Sequence, residues 1–213
     1  MKAKMLHHLG MIEYVQLKCE TLDIQEPKEL EILIRVKICA VCLTDLHLIE
    51  GDLPVPELPV IPGHQAVGII EETGDCIDEF KKCERVGVPW MSSNCCRCGY
   101  CKGGTENLCD LVQFTGLDRH GGYAEHITVL GQFVYKLPDG IADHQAAPLL
   151  CSGIIGYRSL KLCGLQSGQK LGIFGFGASV HITIQVAIHL NCEVYVFTRS
   201  EEHRIHAEEL GAV

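Results

Sequence analysis

This chain of 213 residues has no long apolar run, no stripe of lysine and arginine, no internal repeat and no low-complexity tract. Each absence excludes a class of function. A membrane-spanning helix needs about twenty consecutive apolar residues, and none are found. After Met1 to Met5, which carries Lys2 and Lys4, the chain continues with His7, His8 and Gly10 where a secretory signal would have its apolar core. No signal peptide is therefore expected, and a reducing cytoplasm is the expected location. Basic residues number 18 against 27 acidic ones, for a formal charge of −9. A nucleic-acid surface needs the opposite balance, so the acidity reads as general solubility.

What is present is apolar and cysteine-rich. Apolar residues make up 47% of the chain and charged residues 21%, as in a soluble globular protein with a real core, built as one large domain or two small ones. Thirteen cysteines is an odd number and cannot all pair within the chain. Four of them, Cys95, Cys98, Cys101 and Cys109, stand at C-x2-C-x2-C-x7-C spacing. Four thiolates close the tetrahedral shell of Zn²⁺, which makes a structural site, and Gly99, Gly103 and Gly104 among them permit tight turns. Disulfides are the competing reading, and without secretion they are disfavoured.

The first half of the chain reads as strands separated by turns: Leu30–Ile38, Ala66–Glu71, Arg85–Trp90 and Gly121–Val129, with a proline-punctuated loop from Gly51 to Gly63. An antiparallel, barrel-like β domain is expected. Near Ala142 the character changes. Ala146–Leu160 has helical spacing. Lys170–Phe174 then reads as a buried strand, Gly175–Gly177 as a glycine turn, Ala178–Leu190 as a helix, Glu193–Phe197 as a strand and Glu201–Leu210 as a polar helix. Strand, glycine turn, helix and strand open a dinucleotide-binding α/β fold.

Gly175 and Gly177 would allow backbone to approach a pyrophosphate, with Ala178 and Ser179 at the helix N-terminus. Val180 replaces the third glycine of G-x-G-x-x-G, which weakens the fingerprint. Where an NAD site places Asp or Glu after the second strand, this chain has Thr198, Arg199 and Ser200. Arginine with flanking hydroxyls suits a 2′-phosphate, so NADP is expected in preference to NAD. Arg199 as a solvated charge is the alternative. Cys42, His64 and Cys151 are candidates for a second metal site with one open position. Spacing does not select them, since each could be a buried thiol or a loop histidine.

VCLTDLH at Val41–His47, PGHQAVG at Pro62–Gly68, the cysteine lobe and AAPLLCSG at Ala146–Gly153 occur in one order, linked by RVGVPW at Arg85–Trp90 and GGYAE at Gly121–Glu125. Together they resemble the zinc-dependent alcohol dehydrogenases of the medium-chain dehydrogenase/reductase family along the whole chain. The resemblance implies a mixed α and β protein. A GroES-like β-barrel catalytic domain would span residues 1–145, with its zinc lobe at 91–110, and an incomplete Rossmann-type domain residues 146–213. It also implies that Cys42, His64 and Cys151 are catalytic zinc ligands. Thr44 would hydrogen-bond the alcohol, His47 would be the outer member of a proton relay, and Asp45 would orient the zinc-bound imidazole. Thr44 and Asp45 also suit a helix start. A small alcohol or aldehyde is the implied substrate. His7, His8, His126, His144, His189, His203 and His206 have no motif support and are expected to face solvent or serve structure.

The sequence departs from that family at several positions. Gln65 stands where glutamate is usual, Leu43 where many relatives carry arginine, Cys83-Glu84 where Gly-Asp is usual, and Cys96 where glycine is common. Cys96 is open to reading as a competing ligand or as a spare thiol. Family members are longer, and Val213 falls at the start of their third nucleotide-binding strand. The chain is therefore expected to be a fragment, a truncated product or a chain completed by a partner. A homo-oligomer is left open. An active dehydrogenase and a non-catalytic zinc-binding remnant are the two competing readings.

Overall fold

The computed structural model describes residues 1–15 and 17–213. They form two compact units, Met1–Leu150 and Cys151–Val213.

In the first unit the strands are β1 Lys2–Met5, β2 Lys18–Thr21, β3 Glu31–Cys39, β4 Ala66–Thr73, β5 Arg85–Val88, β6 Met91–Ser93, β7 Gln113–Phe114, β8 His126–Leu130 and β9 Tyr135–Lys136. Helix α1 spans Leu43–Glu50, α2 Gly99–Lys102 and α3 Asp143–Ala146. Five strands make one antiparallel sheet in the order β8-β3-β4-β5-β9. It is open, with β8 and β9 at its edges among the described residues. β1–β2 and β6–β7 are separate antiparallel ribbons. β3 holds the centre because its aliphatic residues bury: Ile32 and Ile34 pack with Ile70, Val86, Val88, Ile127 and Val129.

Register sets up one end of this sheet. Cys39 pairs with Ala66, and Ala66 pairs with Val88. The segments that leave β3, enter β4 and leave β5 therefore meet at the same edge. Cys42 lies three residues beyond Cys39, His64 two before Ala66, and Trp90 two after Val88. Three segments distant in sequence thus converge without any local motif.

The second unit consists of α4 Ser152–Leu162, β10 Lys170–Phe174, α5 Ala178–His189, β11 Glu193–Phe197 and α6 Glu201–Glu209. β10 and β11 pair in parallel, joined by α5. One face packs Leu171, Ile173, Val194 and Val196 against Ile184 and Ala187. The other face is open: Phe174 is 83% exposed and Phe197 52%. β10 is therefore half-covered, not buried as its composition suggests. The mixed α and β class expected from the sequence holds.

Two further expectations need correction. Ala146–Leu160 is not one helix: α3, a 3-10 turn at Ala147–Leu150 and α4 share that stretch. Pro148 has no N–H to donate, and Cys151, with φ −129° and ψ −76°, leaves helical geometry. In Gly121–Val129 the named strand begins only at His126. Gly121, Gly122 and Tyr123 instead donate their N–H groups to Ile61 O, Gly63 O and Pro62 O at 2.6, 2.8 and 3.0 Å, which clasps this loop to the one carrying His64.

Candidate metal centres and nucleotide cleft

The cysteine lobe hangs between β6 and β7. Cys95, Cys98, Cys101 and Cys109 present their sulfurs within 4.8 Å of one another. The Sγ atoms of Cys95 and Cys98 lie 3.8 and 3.5 Å from Cys101 Sγ. A tetrahedron with Zn–S near 2.3 Å has edges of about 3.8 Å, so the donor set fits zinc. Backbone N–H groups of Arg97 and Cys98 favour the Cys95 thiolate and bring its pKa down to about 6. Burial and the neighbouring thiols push Cys101 up to about 12. A divalent cation would relieve this crowding by replacing the shared protons. Cys96 is not part of this group. Its Sγ donates to Asn94 Oδ1 at 3.0 Å. No disulfide joins any of the thirteen cysteines.

The second group forms at the converging edge. Cys42 precedes α1, and the helix start is closed by Asp45, whose Oδ2 accepts the Cys42 N–H at 2.8 Å. Asp45 is 2% exposed, and a carboxylate buried so deeply needs its oxygens satisfied. Gly63 N–H and His64 Nδ1 reach Oδ1, each at 3.2 Å, and the Tyr123 hydroxyl donates to Oδ2 at 2.9 Å. With Nδ1 on Asp45, His64 directs Nε2 elsewhere. That atom is buried with no hydrogen-bond partner among the described residues. An orphaned buried nitrogen beside a thiol is the signature of a missing ligand bond, and here the donor chemistry fits zinc. Cys42 and His64 each offer one donor atom here, and Cys151, the first residue of the second unit, is buried. Burial disfavours the His64 imidazolium, but the Asp45 carboxylate and the Cys42 sulfur beside it prevail and raise its pKa to about 9. Trp90 closes one side, its ring edge-on to His64 with centroids 4.6 Å apart.

Thr44 Oγ1 lies 3.7 Å from Cys42 Sγ. His47, one helical turn on, sits with Nδ1 2.8 Å from Asp52 Oδ2. Gln65 is buried beside His64, and Leu43 is exposed. Sequence reasoning assigned no role to Tyr123, Trp90 or Asp52. Tyr123 and Trp90 lie in the GGYAE and RVGVPW segments, but nothing local marks them as neighbours of Asp45 and His64.

In the second unit, Gly175 adopts φ +93° and donates its N–H to Phe197 O at 2.9 Å. Gly177 caps α5. A side chain at either glycine would meet nothing within 4 Å, so the loop is open to a ligand. A cleft of about 620 Å³ is lined by Gly175, Phe197, Thr198, Arg199, Ser200 and His203. Ala178 and Ser179 begin α5 beside it. Ser200 caps α6, its side chain accepting the His203 N–H. His203, expected to be solvent-facing or structural, is exposed and also lines this cleft. His126 serves structure, pairing with Glu71 at 3.0 Å.

The sequence matches the alcohol dehydrogenase GroES-like domain over residues 28–139, more than half of the chain. It is 45% identical to "Probable alcohol dehydrogenase AdhA" of Mycobacterium tuberculosis, over 100% of this chain and 63% of that protein. It is 38% identical to an alcohol dehydrogenase of Geobacillus stearothermophilus, over 95% of this chain and 61% of that one. A solved cinnamyl alcohol dehydrogenase from Sorghum bicolor superposes with a TM-score of 0.89 at 28% identity, covering 99% of this chain and 62% of the other. A Helicobacter pylori CAD structure complexed with NADP(H) gives a TM-score of 0.87 at 29% identity, covering 100% and 64%. The chain thus spans less than two thirds of the length of these relatives. Among the described residues no helix is long and apolar enough to cross a membrane.

Proposed function

The chain belongs to the medium-chain alcohol dehydrogenases, the zinc-binding family built on the GroES-like domain, and from that premise we propose that its sites serve hydride transfer between a small alcohol or aldehyde and NADP. The observation that carries this reading is the buried, unpartnered Nε2 of His64 beside Cys42, with Nδ1 held by Asp45. Cys42, His64 and Cys151 would hold a catalytic zinc with one position left for the substrate oxygen, and Cys95, Cys98, Cys101 and Cys109 a structural one. When bound, the catalytic zinc supplies Lewis acidity that lowers the pKa of a coordinated hydroxyl.

The remaining chemistry falls to the chain's own groups. Asp45 fixes the His64 tautomer. The Thr44 hydroxyl accepts the alcohol's hydrogen bond. The proton leaves through His47, which Asp52 holds, to solvent. NADP, when bound, would supply the acceptor for the hydride that an alcohol gives up on becoming a carbonyl compound. Gly175, Gly177, Ala178 and Ser179 would receive the pyrophosphate, and Thr198, Arg199 and Ser200 the 2′-phosphate, in the cleft described above.

Metal analysis combined with an alcohol-plus-NADP assay tests this reading, on the chain as it stands and on a version carried to a relative's full length. Two zinc ions per chain and NADP-dependent oxidation by the longer version support it. Two zinc ions with no turnover in either version would leave a zinc-binding, non-catalytic protein. The neutral Gln65 amide, buried beside His64, is the feature that favours that outcome.

A further inference from the structure

The Asp45 carboxylate has about four acceptor sites, and all four are taken. Oδ1 receives Gly63 N–H and His64 Nδ1, and Oδ2 receives Cys42 N–H and the Tyr123 hydroxyl. Three of these donors lie on the two loops that carry Cys42 and His64. The fourth comes from a residue 78 positions away in sequence. Tyr123 is itself anchored through its backbone: its N–H donates to Pro62 O and its carbonyl accepts from Lys4 N–H. Its ring can cross the His64 loop only because residue 63 is glycine. A Cβ there would lie 2.5 Å from Tyr123 Cδ1, and Gly63 has a φ of +97°.

We infer that Tyr123 is a positioning residue for the metal held by His64: its hydroxyl locks the rotation of the Asp45 carboxylate and so aims His64 Nε2. The inference rests on the reading of Cys42, His64 and Cys151 as zinc ligands. Outer partners of this kind typically alter metal affinity 10–100-fold. Without the hydroxyl, Oδ2 keeps one donor, the carboxylate can turn, and the imidazole follows it. A role in packing alone makes a different forecast, because Tyr123→Phe keeps the ring and its contact with Gly63.

The test is chelator competition on the zinc-loaded chain, resolving the two metals, with Cys42→Ser identifying which release belongs to which site. Tyr123→Phe should weaken retention at the His64 site about 10-fold or more, leave the cysteine-lobe metal at wild-type affinity, and shift the visible spectrum of the cobalt-substituted protein. Asp45→Asn should act in the same direction. If Tyr123 works through Asp45, adding Tyr123→Phe to Asp45→Asn should cost less than it does alone. Wild-type retention and spectrum in Tyr123→Phe would overturn the inference. So would effects that multiply independently in the double variant, or equal loosening of both metals. A wild-type chain that takes up one zinc, unchanged by Cys42→Ser, would instead overturn the catalytic-zinc reading on which the inference stands.

Discussion

Arg85 and Asp143 meet across the first unit, Nε to Oδ1 at 2.7 Å, while the same guanidinium donates to Pro138 O at 3.1 Å and Ile141 O at 2.7 Å. One side chain on β5 thus ties down the segment that leads into α3. Arg85→Met keeps much of the apolar stem and removes all three bonds. It should cost about 1.5–3 kcal/mol, the usual worth of hydrogen bonds to charged groups. Asp143→Asn should cost less, because the two carbonyl bonds survive. Urea denaturation of the three proteins checks the order. Equal stability of Arg85→Met and wild type would remove the anchor from the account.

The two metal groups should be separable. Cys109 is buried at 3% exposure, and its sulfur accepts the Leu111 N–H at 3.4 Å. Cys109→Ser should lower zinc content from two per chain to one. Cys42→Ser should do the same from the other side, with the lobe metal intact. Zinc-to-protein ratios from elemental analysis decide this, and a wild-type ratio in Cys109→Ser would discard the lobe assignment.

The nucleotide cleft makes a forecast of its own. Removing a guanidinium from a phosphate site costs about 1.5–3 kcal/mol, roughly a 10–100-fold loss of affinity. Arg199→Ala should weaken adenosine 2′,5′-bisphosphate by that factor and leave 5′-AMP nearly unchanged, as calorimetry would show. Equal losses for both ligands would return Arg199 to the role of a solvated charge.

How much of this was legible in sequence depended on distance along the chain. The cysteine lobe could be read directly because its ligands lie within one short segment. β10, β11 and the glycine turn could be read because strand and loop chemistry is local. The Asp45 network could not, since Tyr123 reaches it from 78 residues away through a register that only the folded sheet defines. The half-open face of β10 was also hidden, because composition records how apolar a strand is and not which face is covered.

Acid should destabilise the chain through His181. Its ring packs against Phe176 at 4.3 Å and against His206 at 5.2 Å, with His203 on the same Phe176 ring at 5.7 Å. Nε2 is buried without a hydrogen-bond partner among the described residues. Burial first, and then the charges of His206 and His203, hold its pKa below the ordinary histidine value. The unfolded chain takes up this proton near pH 6.5 and the folded chain only at lower pH. The contribution is therefore complete above about pH 6.5 and lost as pH falls through the folded value. His120, also depressed by burial, adds to the same slope. Thermal melts from about pH 7 to about pH 5 should show a shallower decline for His181→Gln than for wild type, and parallel curves would exclude His181 as a source.

The departures at Cys83 and Cys96 give the most direct stability test. Both adopt left-handed backbone, with φ of 71° and 55°. A non-glycine residue held there costs about 1–2 kcal/mol. Glycine relieves the strain but adds freedom to the unfolded chain, which returns about 0.4–1 kcal/mol. Cys83→Gly and Cys96→Gly should therefore each stabilise the protein by roughly 0.5–1 kcal/mol, the difference of those two effects. The backbone bond from Cys83 N–H to Ile70 O, 2.8 Å long, is kept in the first variant, so the gain reports conformation and not a lost contact. Cys96→Gly gives up the thiol's bond to Asn94 and should gain less. A lower denaturation midpoint for Cys83→Gly would mean that the thiol contributes more than the strained backbone costs.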